Sequence, residues 1–262
     1  MRRTGLLVAL AIGAVTGVVF GLYPQLDLEI ARRFYGPEQG FPLSAYDWLK
    51  LARDGSMIVV GLIAGVPIGA LVAKLARPGT RLAIPGRAVV FLITTLVLAP
   101  LLTANILLKD NWSRPRPRDI VAFGGSSQFV PWWDPRGTCA VNCSFIGGEA
   151  AGAFWTVAPA ALAPPQWRPL AYGAALAFGT AVGLLRMSFG GHFLTDVVFA
   201  GVLTFLIIWI VHGLLYRWRA SPLTDAAIER GIEYVGTLLR RPFAAFANRA
   251  GQRREVADQR RR

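Results

Sequence analysis

The sequence predicts an all-α polytopic membrane protein, and three observations carry that prediction. Of its 262 residues 54% are hydrophobic and only 16% charged, too apolar a balance for an ordinary soluble domain. The apolar residues gather in six windows, roughly 4–22, 57–75, 88–108, 147–162, 170–185 and 193–215, near the length at which a helix crosses hydrocarbon. The charges are also sided. With the N-terminus inside, eighteen of the 28 Lys and Arg fall on the inner side, and the outer charges cancel, so the whole +13 excess lies inside. Both termini are therefore expected in the cytoplasm.

The first window follows Arg2 and Arg3, and a secretory signal is its competing reading. No clear A-x-A site follows it, and an even number of spans fits the charges. Residues 23–56 form an outer loop in which DLEIARRFYG and AYDWLKLARDG read as two short interfacial helices, with Tyr46 and Trp48 at headgroup level. Pro67, Pro100 and Pro159 fall inside windows, where neighbouring helices can satisfy the freed backbone groups. The fourth and fifth windows are short and need flanking residues to reach across.

Residues 109–145 make the longest outer loop, rich in Pro, Gly, Trp and Arg, and loops of that size usually carry function. It holds the two cysteines, Cys139 and Cys143 in GTCAVNCS. On an oxidising side these form a disulfide or stay as two thiols; no nearby histidine completes a metal site. Residues 1–216 thus form a six-span domain and 217–262 a basic cytoplasmic tail. In the tail Ile228, Ile232, Val235, Leu238 and Leu239 share one helical face, as in a helix lying on anionic lipid, before QRREVADQRRR trails off disordered. Nothing resembles an aromatic-basic RNA motif or zinc-finger spacing, so nucleic acid is not an expected partner.

Ionisable residues at membrane level are costly and mark function. They collect in three blocks. In KDNWSRPRPRD, Lys109 and Arg116 stand at the outer end of the third window with prolines stiffening the chain, a pattern suited to phosphate, which Arg binds bidentately. In SFIGGEA, Gly147 and Gly148 open a helix just ahead of Glu149; this reads either as an anion site of backbone amides or as close helix packing with a first-turn carboxylate. In RMSFGGHFLTDV, His192 and Asp196 are four apart and share a helical face. Asp196 can then fix the imidazole tautomer and leave the other nitrogen as base or nucleophile. Arg186 lies across the Gly190–Gly191 turn as a third cation. The topology puts all three blocks on the outer face, where together they describe a phosphoryl-transfer pocket.

These blocks resemble the type 2 phosphatidic acid phosphatase family, membrane relatives of the vanadium haloperoxidases, whose motifs are K-x6-R-P, P-S-G-H and S-R-x5-H-x3-D. Here they read KDNWSRPRP over 109–117, IGGE over 146–149 and LRMSFGGHFLTD over 185–196. The first matches fully, and the third departs only in having Leu185 for Ser. The second departs at Ile146, Gly147 and Glu149. The resemblance implies that His192 attacks phosphorus, that Asp196 orients it, and that Lys109, Arg116, Arg186 and the Gly148 amide hold phosphate oxygens without metal or cofactor.

Glu149 stands where the family's second histidine protonates the leaving oxygen. It is expected to act as that acid or to orient a sugar hydroxyl, with activity favoured in mildly acidic conditions. His212 is too far to substitute, roughly 24 Å along the helix from Asp196. RPRDIVAFGG, the cysteine pair and NCSFIGGEA are further similar to the bacterial lipid A 4′-phosphatase branch. That implies a bacterial inner-membrane protein with a periplasm-facing site and a phosphorylated lipid as partner. Related branches act on the 1-phosphate, on undecaprenyl pyrophosphate or on phosphatidylglycerophosphate. A non-catalytic lipid-phosphate binder and a transporter are the readings of other classes, the latter without paired broken helices in its favour.

Overall fold

The computed structural model describes residues 1, 3–109, 111–218 and 223–240. Among these it is helical, with no β-strand. Five helices are long and apolar enough to cross a membrane: α1 (Arg3–Leu22), α3 (Asp47–Ala76), α4 (Gly86–Leu108), α7 (Arg168–Ser188) and α8 (Leu194–Arg217). Between them lie α2 (Gln25–Arg32), α5 (Gly148–Phe154) and α6 (Val157–Ala161), and residues 225–240 form α9.

The fourth predicted window differs from a single long span. Residues 147–162 fold as α5 and α6, broken at Trp155 and Thr156. Pro159 has no N–H for the Trp155 carbonyl, which accepts instead from Ala158 N–H at 2.8 Å. The segment is apolar because protein surrounds it: Ala150, Ala151, Ala153, Trp155, Val157 and Ala158 are all buried. Phe154 lodges against Gly179 of α7 and Gly201 of α8, where an added Cβ would stand 2.3 Å and 3.1 Å from its ring.

The outer loop also differs. The stretch 25–32 is a short helix as expected, but its Asp27 is buried. AYDWLKLARDG forms no separate interfacial helix; from Asp47 it runs straight into α3, 30 residues long, since it holds no proline to stop the winding. Trp48 and Tyr46 remain exposed.

The chain divides into two compact units, Met1–Ala64 with Phe91–Ser221 and Gly65–Val90 with Pro222–Arg262. In the first, α1 packs on α8 through small residues that let backbones approach: a Cβ on Gly5 would lie 3.2 Å from Phe205, and one on Gly13 3.2 Å from Val202. The remaining face of α1, with Leu7, Val15, Val18 and Leu22, is exposed, as a lipid-facing surface is. In the second unit, α9 ties to the 74–87 segment. Lys74 Nζ donates to Glu233 at 2.9 Å and to the Thr80 carbonyl at 2.7 Å, Leu82 N–H to Glu229 at 3.0 Å, and Arg87 N–H to Asp225 at 2.7 Å. Ile228 is buried there while Val235, Leu238 and Leu239 are exposed. The expected trailing end, 252–262, lies outside the described residues.

Candidate active site

Each functional side chain is set by how its element ends. Val97–Leu108, the second half of α4, winds in the wider i→i+5 pattern that begins near Pro100 and delivers Lys109 at its tip, its N–H bonded to the Ala104 carbonyl at 3.0 Å. Pro115 and Pro117 then hold the chain extended around Arg116. The last turn of α7 carries Arg186, and Gly190, at φ +63°, reverses the chain so that His192 comes back toward it. At the start of α8, Asp196 accepts the Phe193 N–H at 2.7 Å, capping the helix that bears it.

These ends enclose a cavity of about 220 Å³ lined by Arg53, Lys109, Arg116, Arg118, Asn142, Glu149, Arg186 and His192. Five of the expected residues, Lys109, Arg116, Glu149, Arg186 and His192, therefore meet. Gly147 and Gly148 are not in the lining. Gly147 N–H points to the Asp196 carbonyl at 3.4 Å, and a Cβ on Gly148 would stand 2.4 Å from Asn105 Oδ1. A Cβ on Gly147 would also stand 3.5 Å from the His192 ring.

His192 is buried, and its Nδ1 lies 2.7 Å from the Ser144 carbonyl. A carbonyl only accepts, so Nδ1 carries the proton and Nε2 holds the free electron pair. Asp196, expected to make that bond, is 3.8 Å from Nδ1; it accepts instead from the Ser144 hydroxyl, Phe193 N–H and Arg114. The carboxylate thus holds Ser144, and Ser144 holds the imidazole. Burial, with the Arg116 and Arg186 charges, pushes the His192 imidazole well below its ordinary value, so it is neutral where an ordinary histidine begins to protonate.

Glu149 is not placed as a lone acid. Its carboxylate takes both prongs of Arg53, one at 2.8 Å, and lies 3.5 Å from Arg186 Nε. Arg186 Nε is buried and has no hydrogen-bond partner. Arg116 is oriented by Asn142, whose carbonyl and side-chain oxygens accept from it at 2.7–3.0 Å. Asn142 is in the loop closed by the Cys139–Cys143 disulfide, with Cα atoms 5.7 Å apart.

Sequence reasoning did not find Arg53, Arg114, Arg118, Asp27, Asn142 or Ser144. Arg114 is fully buried and donates to Asp27 and Thr195, each at 2.8 Å, and to Asp196. Its signal was the doubled RPRP, which offers two arginines of which one lines the cavity. Ser144 and Asn142 flanked Cys143 in NCSF, a weaker signal, and Arg53 had none beyond its charge.

Its family and its relatives make the chain a membrane phosphatase, a phosphoric monoester hydrolase. The chain belongs to the PAP2 superfamily, whose family model matches residues 88–220. It is 31% identical over 223 residues, 83% of its length and 98% of the relative's, to a lipid A 4′-phosphatase of Francisella tularensis subsp. novicida. Lipid A 4′-phosphatases of Rhizobium leguminosarum and Rhizobium etli each match at 37% over 44% of this chain, and over 49% and 44% of their own. No solved structure matches it significantly.

Proposed function

We propose that the protein removes the 4′-phosphate of lipid A at the periplasmic face of the bacterial inner membrane, through a phosphohistidine on His192. The observation that carries this reading is the buried His192, its Nδ1 bonded to the Ser144 carbonyl so that Nε2 is the nitrogen with the electron pair, in one cavity with Lys109, Arg116 and Arg186. The names of three relatives supply the lipid. In the membrane, α5 and α6 make a broken fourth crossing, which returns both termini to the cytoplasm and opens the cavity outward.

The phosphate enters against Arg186, whose Nε makes no hydrogen bond and lies 3.5 Å from Glu149, and against Lys109 and Arg116. These cations neutralise its oxygens and stabilise the charge that spreads over them in transfer. His192 Nε2 bonds to phosphorus as the sugar oxygen leaves, and that oxygen takes its proton from water, because the Glu149 carboxylate is already taken up by both prongs of Arg53 and arginine does not release a proton at neutral pH. The Nδ1 proton, held by the Ser144 carbonyl, bears the positive charge of the imidazole during transfer. Water then attacks the phosphohistidine, giving inorganic phosphate and free His192. In this reading Glu149 positions Arg53 and Arg186.

The test is phosphate release from purified protein given lipid A, with mass spectra of the product and trapping of acid-labile radiolabelled phosphoprotein. His192→Ala is expected to lower turnover on the order of 10⁴-fold or more and to abolish the trapped species. Lipid A that keeps both phosphates would remove the substrate; unchanged release by His192→Ala would remove the intermediate.

A further inference from the structure

A second cavity, about 360 Å³, adjoins the first and shares Arg53, Arg118 and Arg186 with it. Lys50 lines only this one, which carries four cations and no carboxylate in its wall. We propose that it binds a second anionic substituent on the sugar head group of the substrate, so that the enzyme selects a lipid bearing two anionic groups. This deepens the lipid A reading and rests on it.

Charge is the first argument. Arg53 and Arg186 face Glu149, whereas the acids near Lys50 and Arg118 lie outside the wall: Asp47 is 3.0 Å from Lys50 and 95% exposed, and Asp119 is 3.7 Å from Arg118 and 50% exposed. Exposed pairs of this kind hold their cations weakly. A single phosphate at His192 leaves Lys50, which lines only the second cavity, without an anionic ligand.

The floor is the second argument. Phe41, Phe123 and Phe189 are buried yet line the cavity, and their positions are fixed by packing. Phe41 meets Tyr35 and Phe123 with ring centroids 5.6 Å apart in each case, and Gly190 leaves it room, since a Cβ there would come within 2.5 Å of its ring. Flat apolar faces rimmed by cations fit the faces of a sugar ring with an anionic group at its edge.

The experiment measures kcat and KM in neutral detergent for lipid A carrying two phosphates and for the same lipid carrying only the 4′-phosphate. The parent is expected to favour the first by about tenfold in kcat/KM, mostly through KM, the effect of one charge-assisted contact. Lys50→Gln should bring that ratio close to one, and Lys50→Arg should keep it. A parent ratio of one, or a ratio unchanged in Lys50→Gln, would overturn the proposal. So would anionic phospholipid raising the singly phosphorylated substrate to the level of the other, because the cavity would then be reading a neighbouring headgroup. Release from neither lipid would instead remove the lipid A reading, and this one with it.

Discussion

On the cavity side of the His192 ring, Arg53, Lys109, Arg116, Arg118 and Arg186 share a wall with one carboxylate, Glu149, while Asp54 and Asp119 pair with Arg53 and Arg118 from outside it. On the other side Arg114 is enclosed with two, Asp27 and Asp196, and donates as well to Thr195 and the Val130 carbonyl. Both groups are dense in charge, and burial makes both costly. They differ in completeness. The inner one satisfies its own atoms, with Thr195 also donating to Asp27 at 2.6 Å, whereas the outer one leaves Arg186 Nε without a hydrogen bond, 3.5 Å from Glu149. A balanced buried cluster holds the fold in register; an unbalanced one has a place for a ligand's charge.

The sharpest way to break this contrast is Arg114→Leu. It leaves two buried carboxylates facing each other, a loss of about 3–5 kcal/mol for an uncompensated buried charge. The variant is expected to lose its cooperative melt in detergent. Arg114→Leu protein that melts like the parent but lacks activity would move Arg114 from the structural side to the catalytic side.

Glu149→Gln probes the outer group, with a smaller effect. The Glu149 carboxylate is engaged by both prongs of Arg53 and lies 3.5 Å from Arg186 Nε. Removing the charge frees Arg53 and Arg186 to repel each other and to shift. The expected result is kcat/KM lowered about tenfold at every pH from about 5 to 8, with the profile keeping its shape. The acidic limb of the parent belongs to His192 and should lie below the ordinary histidine range, about 6.5. Loss of a limb in Glu149→Gln would restore Glu149 as the proton donor.

The same contrast explains what the sequence could carry. Lys109, Arg116, Arg186 and His192 were legible because they fall in two short blocks at helix ends, after α4 and between α7 and α8, and spacing within a block survives folding. Arg53 was not, for it meets Glu149 across 96 positions, and its segment read as a surface helix until α3 proved continuous. Arg114 and Arg116 are the same residue two apart, each followed by proline; only the tertiary position of Asp27 separates the buried anchor from the ligand-facing cation. Hydropathy found the five long apolar helices but not the break at Trp155, because a segment lined by protein and one lined by lipid have the same composition.

The smallest expected effect lies where the two groups are joined by the loop. Cys139 and Cys143 bracket Asn142, which stands at φ +56° and turns its carbonyl and side-chain oxygens onto Arg116; the next residue but one, Ser144, turns to His192 and Asp196. The disulfide thus constrains a short turn that orients a cation on one side and the nucleophile on the other. Since Ser144 N–H is also held by the Arg114 carbonyl at 2.8 Å, the inner anchor survives reduction and only the Asn142 end is released. Reduction, or the paired Cys139→Ser and Cys143→Ser change, should therefore raise KM about two- to fivefold by loosening Arg116, with kcat nearly kept. A fall in kcat with KM unchanged would mean that the loop sets the His192 imidazole instead, and that Arg114 does not hold Ser144 by itself.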